Sequence, residues 1–222
     1  MPTEADRPLD GESIIAAFNA AGVDYVIVGG FAAEAYRAPV PPTRDIDFTP
    51  ATDRENLARL ADALRALGAR LRTPGVPDGI PFDPAPELLV SMRMLNLTCE
   101  FGHFDLTFWP DGTEGFPDLD RRAATLVVGE TKTRVAHLGD IIRSKQAAGR
   151  PKDLAVLPAL ELFAAKKGID VSARESFSLQ AEAPATPPAC TARPSSAADA
   201  RRRLEELNRT RRYCEKPTDE RS

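Results

Sequence analysis

An α/β (or α+β) domain with a small mixed sheet flanked by helices is predicted by three observations. A continuous apolar run, Tyr25–Val28, stands between Asp24 and Gly29 and has the length of a buried strand. The stretch Asp53–Leu67 places leucines at 57, 60, 64 and 67, one face of a helix, and ends at Gly68. Segments of these two kinds alternate along the first 170 residues, separated by Gly and Pro turn signals.

In chain order, Glu12–Ala21 reads as a short amphipathic helix and Tyr25–Val28 as a strand. Phe31–Arg37 reads as a second helix, stopped by Pro39, Pro41 and Pro42. Asp45–Thr49 is a short strand, followed by the Asp53–Leu67 helix. Gly75–Pro86 is rich in proline and reads as loop. Met94–Cys99 and His103–Phe108 form a hairpin turning at Gly102, and Thr125–Val128 with Thr133–Val135 form a second. Leu138–Ala148 and Pro151–Lys166 are two helices broken at Gly149–Arg150.

This divides the chain into a flexible N-terminus (1–11), a core (12–137), a helical segment packed on it (138–170) and a low-complexity tail (171–222). The tail holds about six large apolar residues, too few for a core, and reads as disordered. Ala181–Ser196 is a Pro-rich linker, and 197–212 has the composition of a solvated or docking helix.

Composition narrows the function classes. The 222 residues carry a net charge of -4, with 42% apolar and 28% charged residues. A general nucleic-acid coat needs an excess of Lys and Arg, which is missing. No apolar run approaches the ~18 residues of a membrane helix, and Met1–Asp10 lacks the form of a signal peptide. Cys99, Cys190 and Cys214 are odd in number and lack metal spacing, so the expectation is a reduced, cytoplasmic protein without a membrane partner. Gly29-Gly30-Phe31-Ala32-Ala33 is not the dinucleotide fingerprint, and no P-loop is present.

Three features carry chemistry. Gly29 and Gly30 follow a strand and precede a helix, so backbone can approach a ligand and helix amides can face a phosphate; a plain tight turn is the alternative. In Asp45-Ile46-Asp47-Phe48 the two acids share one strand face while Ile46 and Phe48 face the core. Two like charges ~4 Å apart repel by about 4 kcal/mol at an effective dielectric of 20, which favours a cation between them. All-oxygen ligands suit Mg²⁺ or Mn²⁺; a solvated acidic turn is the alternative. Asp118-Leu119-Asp120 has the same spacing without a strand pattern and reads as loop or helix cap. Asp105 is the third feature: a single carboxylate on the polar face of His103–Phe108, where it needs a partner, either a salt bridge or a role as metal ligand or general base.

The stretch VDYVIVGGFAAEAYRAPVPPTRDIDF, Val23–Phe48, resembles the signature of DNA polymerase β-type nucleotidyltransferases, with FDLTF supplying the later aspartate, Asp105. Leu138–Leu160 resembles the helical segment of the AbiEii-like toxin and minimal nucleotidyltransferase branches. The resemblance covers residues 12–165 and implies the nucleotidyltransferase fold and nucleotidyl transfer from an NTP. Asp45, Asp47 and Asp105 would be catalytic and would hold Mg²⁺ or Mn²⁺. Gly29, Gly30, Arg44, Lys145, Arg150 and Lys152 would bind the nucleotide. The acceptor is not legible; tRNA, a protein or a small molecule are candidates, and a toxin of this branch implies an antitoxin partner. Lys145, Arg150, Lys152 and Asp153 also have a bland reading as helix-end residues, and Arg44 one as an ion-pair partner. His103, His137, Trp109 and Cys99 read as structural. A catalytically silent nucleotide- or partner-binding module on the same fold is the competing reading.

Overall fold

Alternation along each strand decides which side of the sheet is dry. The computed structural model describes residues 8–171. The chain runs α1 (Gly11–Ala21), β1 (Tyr25–Val28), α2 (Gly29–Ala35), β2 (Asp45–Pro50), α3 (Arg54–Ala66), β3 (Arg70–Thr73), β4 (Val76–Pro81) and α4 (Pro86–Ser91). It continues through β5 (Met94–Cys99), β6 (Gly102–Thr107), α5 (Phe116–Arg122), β7 (Ala124–Val128), β8 (Thr131–Val135), α6 (Leu138–Ala148) and α7 (Pro151–Lys167). The eight strands form one mixed sheet in the order β4-β3-β5-β6-β2-β1-β8-β7. The pairs β2–β6 and β1–β8 are parallel and the rest antiparallel.

Ile46, Phe48, Phe104 and Leu106 point to one face and are fully buried. Helix α1 covers that face. Asp10 caps it, accepting from the Ser13 amide at 3.1 Å, and Gly22 closes it in the left-handed region. Its Phe18 packs on Phe48 with ring centroids 4.6 Å apart, and edge-on to Tyr25 and Phe104. Helix α3 lies beside α1.

Asn56, fully buried in α3, ties that helix to the strand ends. Its side chain accepts from the Asp24 amide at 2.7 Å and donates to the carbonyls of Asp24 and Ala51, each at 2.9 Å. Asn56→Ala leaves these backbone groups buried without partners, a loss of about 2–4 kcal/mol. Urea unfolding checks it; a loss under about 1 kcal/mol means water replaces the side chain.

The predicted fold class matches this architecture, with three local corrections. The Gly75–Pro86 segment is not loop: it contains β4 and leads into α4, and β4 pairs with β3, which was also missed. Pro77 and Pro81 read as loop signals, but β4 is an edge strand, where a missing amide costs no ladder bond. The helix predicted at Phe31–Arg37 is Gly29–Ala35, because Gly29 itself makes the turn at φ 71°. Asp118 and Asp120 lie in α5 rather than in a loop; Asp118 takes ion pairs from Arg121 and Arg143, and Asp120 from Arg134. The expectations of a flexible N-terminus and of a disordered tail with a helix at 197–212 fall almost entirely outside the described residues.

Candidate active site

The face of the sheet opposite the aromatic core carries a polar row set by register. On β2 and β6, Asp45 pairs with His103 and Asp47 with Asp105. Asp105 also pairs with Asn96 of β5, and Asp47 with Val28 of β1. The parallel β2–β6 pair thus brings Asp105 beside Asp47, and Asp45 follows two positions along on the same face.

These three carboxylates line a cavity of about 520 Å³. Gly29 and Gly30 line it from the start of α2, and Lys145, Arg150 and Lys152 from the ends of α6 and α7. Of the nine residues expected to be catalytic or nucleotide-binding, Arg44 stays outside: it is exposed, precedes β2 and does not line the cavity. His103 bonds Thr98 at 3.1 Å and also lies outside. His137 caps α6 and meets Arg122 at 2.9 Å, a structural role. Cys99 is a buried free thiol.

The glycines are dictated by space. Gly29 adopts φ 71°, and a Cβ there would lie 2.1 Å from Asp47 Oδ2. A side chain at 29 would displace the Asp47 carboxylate as well as strain the backbone. At Gly30 a Cβ would press on Thr43 at 3.1 Å.

Burial sets the electrostatics, and neighbouring charges modify it. Burial raises the Asp47 carboxyl to about 7, with Asp45 and then Asp105 adding to the rise and Lys145 and Lys152 opposing it. Asp105 rises to about 6, again chiefly by burial, while Arg72 pulls it down and Asp45 pushes it up. On the facing wall Asp153 is only 2% exposed and accepts from Lys145 Nζ at 3.0 Å and from Arg150 Nε. Burial alone would raise Asp153, but the bonds from Arg150 and Lys145 outweigh it and hold the carboxyl below its usual value.

Sequence reasoning missed Arg72. Its Nη2 donates to both oxygens of Asp105, at 2.9 and 3.2 Å, and its Nη1 lies 3.9 Å from Asp45 Oδ2. The signal was alternation: Arg70, Leu71, Arg72 is a polar–apolar–polar strand, and treating the next segment as loop hid it. Asp45 Oδ1 is also engaged, by Thr43 Oγ1 at 3.0 Å. Among the described residues, no group of three or more His, Cys, Asp or Glu side chains stands close enough together to hold a metal ion. The donor set suits a hard divalent cation: it offers carboxylate oxygens only, two of the acids being raised by burial first and by their acidic neighbours second.

No family model matches the sequence, and no curated protein does. Among the solved structures that resemble the chain are two of one protein. One is a solution structure of the antibiotic-resistance factor ANT(2'')-Ia, 16% identical, covering 91% of each chain at a TM-score of 0.45. The other is a crystal structure of ANT(2")-Ia in complex with adenylyl-2"-tobramycin, 16% identical, covering 71% of this chain and 89% of that one, also at 0.45. Likeness at this level is one of general shape, and the geometry of the carboxylate row stands without it.

Proposed function

We propose that the protein is a divalent-metal-dependent nucleotidyltransferase of the DNA polymerase β-type superfamily, moving NMP from an NTP to an acceptor hydroxyl. The observation that carries this reading is the register: Asp47 beside Asp105, Asp45 on the same face, and a cationic wall across one cavity. Six acidic or basic side chains in that arrangement suit a substrate that is itself polyanionic and metal-bound.

Asp45, Asp47 and Asp105 would hold Mg²⁺ or Mn²⁺, which when bound supplies positive charge against the phosphates and lowers the barrier to nucleophilic attack. The chain's own groups do the rest. Gly29 makes room for the Asp47 carboxylate at the strand-to-helix turn, and it and Gly30 would leave backbone open to the phosphates. Lys145, Arg150 and Lys152 neutralise phosphate oxygens, with Asp153 fixing the first two. A bond forms between the acceptor oxygen and the α-phosphorus while the bond to the β-phosphate oxygen breaks, and pyrophosphate leaves. Asp105 would take the acceptor proton. Arg44, exposed and outside the cavity, has no part in this reading.

The test is binding of each of the four NTPs by calorimetry, with and without Mn²⁺ or Mg²⁺, then transfer of labelled NMP to tRNA, proteins or small hydroxylated molecules. Metal-dependent binding of one NTP followed by labelling of one acceptor class is expected. Metal-independent binding without transfer to any acceptor overturns the reading in favour of a catalytically silent module. Among the described residues no helix is long and apolar enough to cross a membrane. The AbiEii-like branch, a toxin role and an antitoxin partner rest only on the likeness of Leu138–Leu160.

A further inference from the structure

Arg72 belongs to neither the acidic row nor the cationic wall. Paired residues Arg70–Thr98 and Leu71–Leu97 bring Arg72 alongside Asn96, which pairs with Asp105. One guanidinium from a neighbouring strand therefore reaches over β5 and spans two of the three carboxylates, at 2.9 Å from Asp105 and 3.9 Å from Asp45. Its side chain is 24% exposed, so the guanidinium has a route to water, whereas Asp105 beneath it is 12% exposed.

We propose that Arg72 is a built-in counter-cation that competes with the divalent metal for Asp105 and Asp45, so that loading the site requires its guanidinium to move aside. The inference rests on the metal-dependent reading above. An oxygen bound to Mg²⁺ lies 2.0–2.1 Å from the ion, as a general rule, and a divalent charge in the carboxylate row repels a guanidinium held at contact. Arg72 occupies a lone pair on each Asp105 oxygen, so a metal drawing on the same oxygens shares them with a guanidinium at contact. Without a cation of some kind the row carries crowded carboxylates in a low-dielectric setting; Arg72 supplies that cation while metal is absent.

The experiment titrates the full chain with Mn²⁺ alone, reading free Mn²⁺ by electron paramagnetic resonance, for the wild type, Arg72→Gln and Arg72→Lys. Melting curves are recorded for each with and without saturating Mn²⁺. Arg72→Gln is expected to bind Mn²⁺ about tenfold more tightly, because a competing charge is gone. Its metal-free form should melt lower than wild type and gain more from Mn²⁺. Arg72→Lys keeps the charge without the two-oxygen fork and is expected to bind more tightly by a smaller factor; it decides the matter if the Gln variant does not fold. Equal or weaker Mn²⁺ binding by the variants overturns the inference and makes Arg72 a support for Asp105, with the metal-dependent function intact. If neither wild type nor variants bind Mn²⁺, the inference and the metal-dependent function both fall.

Discussion

Asp47→Asn is expected to lower nucleotidyl transfer by roughly 10³-fold while making the metal-free protein more stable. The two effects share one cause. Asp47 sits between Asp45 and Asp105, under Gly29, and its carboxyl is raised to about 7. A group whose folded value lies above its unfolded one holds an extra proton on folding. Between about pH 4 and 7 the metal-free native state binds more protons than the unfolded chain, so its stability falls as pH rises through that window. Asp105, raised to about 6, acts in the same direction. Asparagine removes the charge and keeps the shape. At pH 8 the variant should gain about 1–2 kcal/mol, or roughly 3–6 °C of melting temperature, and show a flatter decline with pH. Melting curves in chelator from pH 5 to 8, set against transfer rates, check both signs. Retained activity, or a variant less stable than wild type at pH 8, makes Asp47 an ordinary structural acid.

On the opposite wall, Asp153→Ala is expected to act with the other sign on stability. Asp153 is buried and bonded to Lys145 and Arg150. Removing it takes from Lys145, whose side chain is 15% exposed, its buried ion-pair partner, while Arg150, at 58%, can turn to water. Breaking a buried pair on one side costs about 3 kcal/mol. The folded carboxyl lies below its usual value, so this contribution is present above about pH 4 and is lost as pH falls through the native value. Urea unfolding at pH 7 should show the loss, and the gap to wild type should narrow under about pH 4. With both cations released, NTP affinity should drop roughly tenfold, whereas Asp153→Asn, which keeps an acceptor, should recover part of both losses. A stable Asp153→Ala protein with unaltered NTP binding removes the cationic wall from the site.

How far the sequence carried the reading depended on whether a signal was local. The alternation of Asp45-Ile46-Asp47-Phe48 decided a face, and the structure places both acids on it, away from the aromatic core. The glycine pair between a strand and a helix marked the turn, and the Phe31 start missed only that Gly29 is already helical. Asp105 was picked out as a lone acid on a polar strand face, but no local pattern says that β6 runs parallel to β2. Arg72 escaped because its role exists only across three strands, and because Pro77 and Pro81 looked like loop where an edge strand tolerates them. Arg44, next in sequence to Asp45, lies in the bend before β2, exposed and outside the cavity lining, which its place in the sequence alone does not reveal.

The parallel β2–β6 pairing has a kinetic side. Three neighbouring strand pairs, β3–β4, β5–β6 and β7–β8, are linked by short hairpin turns and can zip locally. The β2–β6 contact instead closes a loop that contains α3, β3, β4, α4 and β5, so its chain-entropy cost falls before its contacts form. The three acids are therefore strangers until this long closure is made, and a chain emerging during synthesis holds Asp45 and Asp47 well before it holds Asp105. On the proposed reading, no transfer precedes assembly of the sheet's centre.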